Sequence, residues 1–338
     1  MTAPPAFSRM ASERPGILVI RGGAIGDFIL TLPALAALRT QFPQARLTVL
    51  GYPHIAQLAV AGGLADEVRP IEARGLAGFF NPRATPPAEL ADFFAGFDII
   101  VSYLYDPDAV FQQSVRRCTR ATFIAGRHRP DETQTRHATD VFLKPLERLA
   151  IFEGDPVPRL RLAASAATPP SSRPRLAVHP GSGSERKNWP ESRWAELLKH
   201  LADRTDLELL LAGGEAEGDR LQRLARLWPA DRLTLAQSLP LPELARRLAG
   251  CAVFAGHDSG ITHLAAALGL AGVALWGDSS EAIWRPRSDR IRLLRHAQGL
   301  AALPVREVAL ALADLLAGTE GAQPRQAAPG VSLDETKV

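Results

Sequence analysis

The sequence predicts an α/β fold made of two doubly wound parallel sheets, one in each half of the chain. Three observations carry this prediction. Short apolar runs alternate with helix-compatible stretches, as parallel sheets require. The alternation restarts after an Ala-, Ser- and Pro-rich stretch at 163–174, read as a linker. Several of the strands end in turns of glycine, hydroxyl and acidic residues, at the edge where open α/β sheets bind ligands. A chain of 338 residues, 46% of them apolar, is long enough to give two domains a core each.

In the first domain, expected over 15–165, strands are read at 17–20, 47–50, 67–70, 98–101 and 121–124. A helix over 28–38 follows the first strand, interrupted early by Pro33. Residues 74–87 hold Gly, Asn and Pro with Phe79 and Phe80, and read as a mobile loop beside a binding cleft or equally as a packed surface loop. Helical sequence resumes at 140–152, with Pro145 near its start. The second domain, 174–300, restarts with strands at 176–179, 208–212, 233–235, 252–255 and 273–276. A terminal helix is expected over 301–318, and the polar residues 319–338 read as a disordered tail.

Composition removes several function classes. The net charge of +3 is too small to argue for nucleic acid, and the aromatic residues are not interleaved with basic runs. Cys118 and Cys251 are far apart and lack CxxC spacing, so they read as buried small hydrophobes rather than disulfide or zinc residues. No apolar run reaches the roughly 18–20 residues that a membrane span needs. Residues 1–15 contain Arg9 and Arg14 but no apolar signal core. The expectation is a cytoplasmic protein that is not integral to the membrane.

Three strand-to-helix turns carry the chemistry. Around 255–268, a strand breaks into Gly256, Asp258, Ser259 and Gly260 and restarts as an Ala/Leu helix. Asp258 or Ser259 can cap the unpaired amides of the first turn, and Gly260 lets a ligand approach the main chain, so a diphosphate fits that helix start. A capped turn in any α/β protein accounts for these residues equally well. Near the N-terminus, Arg21-Gly-Gly-Ala-Ile-Gly-Asp27 is a second glycine-rich turn, without the G-x-G-x-x-G order of nicotinamide sites. In the middle, His179-Pro-Gly-Ser-Gly-Ser184 leads through Lys187 to Trp189-Pro190 and a helix running to residue 201.

Together, the Gly-Asp turn followed by Thr-Leu-Pro, the His-Pro-Gly-Ser loop followed by Lys-x-Trp-Pro, and Asp258-Ser-Gly-x-x-His-Leu-Ala resemble one family, the ADP-heptose:lipopolysaccharide heptosyltransferases of glycosyltransferase family 9. The similarity runs from about residue 17 to 284, with Leu275-Trp-Gly-Asp-Ser-Ser280 and Trp284-x-Pro286 resembling the family's closing segment. The resemblance implies a GT-B enzyme, with two Rossmann-like domains facing each other across a cleft. It further implies inverting, metal-free transfer of heptose from ADP-heptose to a lipopolysaccharide inner-core acceptor, Kdo- or heptose-bearing lipid A. It needs no cofactor. The terminal helix would pack back on the first domain.

Such chemistry needs a base for the acceptor hydroxyl and positive charge for the leaving diphosphate. Asp27 is the candidate base, with a helix-cap role as the alternative. Ser182, Ser184, Lys187, Asp258, Ser259 and Gly260 are the candidate diphosphate residues; the alternative for Lys187 is an exposed lysine. Glu215, by resemblance, and His263 are assigned to the donor ribose or sugar, against solvent exposure for Glu215 and a core or capping role for His263. Gly26, Arg127 and Arg129 are assigned to the acceptor side. The two arginines belong to a basic segment with Arg116, Arg117, Arg120 and Arg136 that fits an anionic glycolipid and peripheral contact with the inner membrane, or else a solvated face. Asp106-Pro-Asp108 has DxD spacing but reads as turn chemistry, so no metal is expected. Remaining alternatives are a different nucleotide-sugar, a non-lipid acceptor, or a nucleotide-sugar binding module without transfer.

Overall fold

The computed structural model describes residues 14–163 and 173–320. Its first sheet contains β1 (Gly16–Arg21), β2 (Arg46–Gly51), β3 (Glu67–Pro70), β4 (Ile99–Ser102) and β5 (Thr122–Ala125) in the order β3-β2-β1-β4-β5. The second contains β6 (Arg175–His179), β7 (Glu208–Gly213), β8 (Leu233–Gln237), β9 (Val253–His257), β10 (Ala271–Leu275) and β11 (Ile291–Leu294), ordered β11-β10-β9-β6-β7-β8. Every pairing is parallel. Central strands such as β1 and β9 are buried along their whole length, which explains why they read as unbroken apolar runs. The strand β11, four residues with Arg292 exposed, carries no such run and was not expected.

This order puts the glycine-rich turns where they matter. Chain direction across the sheet reverses between β1 and β4, and again between β6 and β9. Open α/β sheets bind ligands at such switch points, beyond the C-terminal ends of the strands. The turns after β1, β6 and β9 all leave from those ends. The two domains also share apolar packing: Leu35 and Leu58 of the first belong to one core with Phe254 and Leu264 of the second. Across the boundary, Leu160 donates its N–H to the Ala267 carbonyl at 2.8 Å.

Three expectations need correction, and at 74–87 the packed alternative is the one observed. The helix expected over 28–38 is two, Ile25–Ile29 and Leu32–Gln41, because Pro33 starts the second rather than interrupting one. The stretch 74–87 contains a 3-10 helix, Arg74–Phe80, whose Phe79 is buried against Phe94 and Phe111, so it packs on the outer face of the first sheet. The expected helix over 140–152 is a short one, Ala138–Leu143, followed by a 3-10 segment, Lys144–Leu149, that starts just before Pro145. Finally, the terminal helix is Val305–Glu320, which starts four residues later and ends two residues later than expected. It buries Val308 and Leu312 in the core of the second domain instead of returning to the first. Most of the expected linker, residues 164–172, and the tail from 321 onward lie outside the described residues, as do residues 1–13.

Candidate active site

The first wall of the site is the turn after β1. Gly23 adopts φ +102°, in the left-handed region, where a Cβ would also lie 2.9 Å from Asp27 Oδ2. The turn thereby folds back, and Asp27, in the first turn of the helix Ile25–Ile29, accepts the Ala24 N–H at 3.1 Å. Beneath it lies Arg21, whose side chain is only 2% exposed. Its guanidinium donates to the His128 carbonyl at 2.8 Å and the Asp27 carbonyl at 3.2 Å, lies 3.7 Å from Asp27 Oδ1, and packs 4.4 Å over the Phe142 ring. Burial pulls the Arg21 guanidinium down from its ordinary range, against the stabilising charge of Asp27.

The second wall comes from the turns after β6 and β9. Ser259 caps the helix Gly260–Ala267, its Oγ accepting from Thr262 N–H at 3.3 Å. Lys187 donates to Asp258 Oδ2 at 2.7 Å, and the Ser279 hydroxyl donates to the same oxygen. His263 is buried one turn into the helix. Burial pushes its imidazole well below the ordinary histidine range, with the Asp258 and Asp27 charges working the other way, so it stands in the site as a neutral ring.

These walls meet at Gly260. A Cβ there would lie 2.6 Å from Ile25 Cβ and 2.8 Å from Gly26 N, so only glycine lets the two helix starts touch. Beside that contact opens a cavity of about 480 Å³, with Gly26 and Asp27 on one side and Ser182, Lys187, Asp258, Ser259, Gly260 and His263 on the other. Arg129 reaches it from the first domain and stacks 5.4 Å from the centre of the Trp284 ring of the second.

Similarity to known proteins agrees with this geometry. Residues 149–307 match the model of glycosyltransferase family 9 (heptosyltransferase). Lipopolysaccharide heptosyltransferase 2 of Escherichia coli is 34% identical over 134 residues, 38% of each chain. The crystal structure of a family 9 glycosyltransferase from Veillonella parvula superposes with a TM-score of 0.72 at 18% identity, covering 92% of this chain and 100% of that one. The E. coli heptosyltransferase WaaC, solved with ADP-2-deoxy-2-fluoro heptose, gives 0.67 at 20% identity, covering 88% and 99%. Over residues 149–307 the chain matches glycosyltransferase family 9, the heptosyltransferases, and over most of its length it shares the fold of that family's solved structures. It is a glycosyltransferase of GT-B fold.

Not every expected residue lies in the cavity. Asp258 does, but as a carboxylate that accepts from Lys187 and Ser279, and a carboxylate offers a diphosphate no donor of its own. Ser184 is turned into its own loop, its carbonyl 2.9 Å from Ser182 Oγ. Glu215 is exposed outside the cavity, whereas Glu217, two residues on, is buried, caps the Gly214 N–H at 2.9 Å and packs against Gly181. Arg127 lines a separate hollow with Arg136 and Lys144. Asp106 accepts the N–H groups of Phe111 and Gln112 at 3.1 and 2.9 Å, which is the expected turn chemistry. Among the described residues no group of three or more His, Cys, Asp or Glu is placed to hold a metal.

Sequence reasoning gave no site role to Asp278, Ser279 and Ser280, which line the cavity after β10 within the segment resembling the family's close, nor to Glu132 beside Arg129. The first three had a readable signal, a Gly-Asp-Ser-Ser turn at the end of a strand. Arg21 had none, because nothing in a linear pattern tells a buried guanidinium from an exposed one.

Proposed function

We propose that the enzyme transfers heptose from ADP-heptose to the inner core of lipopolysaccharide, on a Kdo- or heptose-bearing lipid A acceptor, by a single inverting displacement without a metal ion. The observation that carries this reading is one cavity with a carboxylate on the first domain facing an ammonium and a helix N-terminus on the second. The names of the relatives supply the substrate class; the cavity supplies the roles. The diphosphate lies against the amides at Ser259–Gly260 and against Lys187, with Ser182 and Ser279 beside it in the lining, so the growing charge on ADP meets a fixed ammonium and helix amides. Neutral His263 stands at the donor sugar. On the opposite side Asp27 takes the proton of the acceptor hydroxyl as its oxygen attacks the anomeric carbon, and the bond to ADP breaks on the far face. Gly26 keeps that approach open, and Arg129 meets the anionic acceptor.

No helix among the described residues is long and apolar enough to cross a membrane. The arginines at 116–136 fit an enzyme that works in the cytoplasm and touches the inner membrane peripherally. The test mixes purified protein with ADP-heptose, with and without Kdo-bearing lipid A, and follows ADP release and product mass. ADP release that needs the acceptor, with a product heavier by one heptose, is expected, and it should persist in EDTA. No product with this pair would remove the assigned substrates. A strict divalent-ion requirement would return attention to Asp106 and Asp108.

A further inference from the structure

His257, the last residue of β9, is fully buried and touches neither Asp27 nor the acceptor side of the cavity. Its Nε2 lies 2.7 Å from Trp189 N, and its Nδ1 lies 3.2 Å from the Gly181 carbonyl oxygen. A backbone amide can only donate and a carbonyl can only accept, so the ring is a single neutral tautomer. Nε2 accepts from Trp189, and Nδ1–H donates to Gly181. The face of the bond network is closed by Trp194, edge-on at 5.4 Å. Burial pushes the imidazole down to about 3, so both bonds persist throughout the physiological range.

The two anchors bracket the loop 181–189, the segment that brings Ser182 and Lys187 into the cavity. Inside it, Gly183 is left-handed at φ +75° and the segment Glu185–Lys187 is a single 3-10 turn, so little regular structure holds the loop in place. Ser182 donates to Asn188 Oδ1 across the loop at 2.7 Å and Arg220 pairs with Glu185 on its outer side, while Asp258, the residue after His257, fixes the Lys187 ammonium. Consecutive residues at one strand end thus fix the loop's backbone and its charge.

We infer that His257 is a positioning residue for the donor diphosphate, splinting both ends of the 181–189 loop so that Lys187 and Ser182 are preset for the anion. This rests on the donor site proposed above and adds the residue that sets its geometry. It predicts a loss that falls on donor binding rather than on acceptor binding. His257→Phe keeps an aromatic ring and deletes both bonds; ADP Kd by calorimetry and donor KM should rise roughly 10- to 100-fold, with acceptor KM held within about threefold. His257→Gln should restore ADP affinity to within about threefold of the parent, because a carboxamide also offers an acceptor and a donor two bonds apart.

On a Lys187→Ala background, His257→Phe should add little, since the splint acts through the loop that carries that lysine. Full additivity, or an unchanged ADP affinity in a folded His257→Phe protein, overturns the inference. If Lys187→Ala itself leaves ADP binding intact, the donor-site reading fails instead. The parent protein supplies a check that needs no variant: nitrogen-15 shifts should report His257 as the Nδ1–H tautomer at neutral pH. An Nε2–H or charged ring there overturns the inference as well.

Discussion

The turns after β1 and after β9 both carry a buried parallel strand into a helix at a switch point of a sheet, and both use glycine to bring their helix starts into contact. They differ in what they leave available. After β9 the polar groups are occupied: Ser259 caps the helix, Asp258 holds Lys187 and Ser279, and His257 is tied to two backbone groups. After β1 the helix begins at Ala24 with no side-chain cap, and Asp27 makes one backbone bond while its side chain remains 29% exposed to the cavity. A saturated turn presents fixed dipoles to a bound anion; an unsaturated one retains a carboxylate with capacity to accept a proton. The difference separates binding from chemistry.

The sharpest way to break that contrast is Asp27→Asn. Asparagine caps about as well as aspartate and keeps its shape, but it cannot act as a base. Folding and ADP binding should survive while transfer falls by roughly 10²–10⁴-fold. Measured turnover near the parent value would make Asp27 one more occupied turn residue and erase the distinction between the two domains.

How far this contrast was legible in the sequence follows from what makes each residue recognisable. All ten expected strands are present, each within two residues of its expected bounds; the central ones were readable because they are apolar along their length, whereas the edge strand β3, Glu-Val-Arg-Pro, is only half-buried. Asp27, Lys187 and Gly260 were readable because each stands in a glycine or hydroxyl turn beyond a strand. The saturation of the second turn was not readable: the Lys187 to Asp258 contact spans 71 positions and the His257 to Gly181 contact 76, and only folding brings such partners together. Glu215 was favoured over Glu217 for the same reason. Two carboxylates in one Gly-Gly-Glu-Ala-Glu run look alike until burial separates them.

Lys187→Ala attacks the other turn. It removes a charge-assisted donor and leaves Asp258 without its ammonium, so ADP affinity should drop by about 1.5–3 kcal/mol. Acceptor KM should move far less. Calorimetry with ADP alone reads the first effect, and an unchanged affinity would overturn the donor-site reading that places the diphosphate on Lys187.

Gly260→Ala tests the contact between the two turns. The new methyl would meet Ile25 Cβ and Gly26 N at 2.6 and 2.8 Å, one of them backbone, so the helix starts must separate. Overpacking of this kind costs about 1–3 kcal/mol in stability. Because the shift moves Asp27 relative to the donor wall, kcat should fall more than ADP affinity. A variant with parental melting temperature and kcat would mean that the close approach is incidental.

The smallest effects belong to the arginines, and they sharpen the comparison at its rim. Arg129 is 61% exposed and Arg127 64%, and each faces an acidic neighbour, Glu132 at 2.9 Å and Asp131 at 4.0 Å. Pairs this exposed contribute only about 0–1 kcal/mol and are screened by salt. Arg129 also stacks on Trp284 across the cavity mouth, a contact that Arg127 lacks. Arg129→Ala should therefore raise acceptor KM by roughly three- to tenfold at low ionic strength, an effect that shrinks as salt is added, while Arg127→Ala stays within about twofold. Equal, salt-insensitive behaviour of the two variants would return both arginines to a solvated face, and the acceptor would then be recognised by the Gly26–Asp27 turn without help from the basic segment.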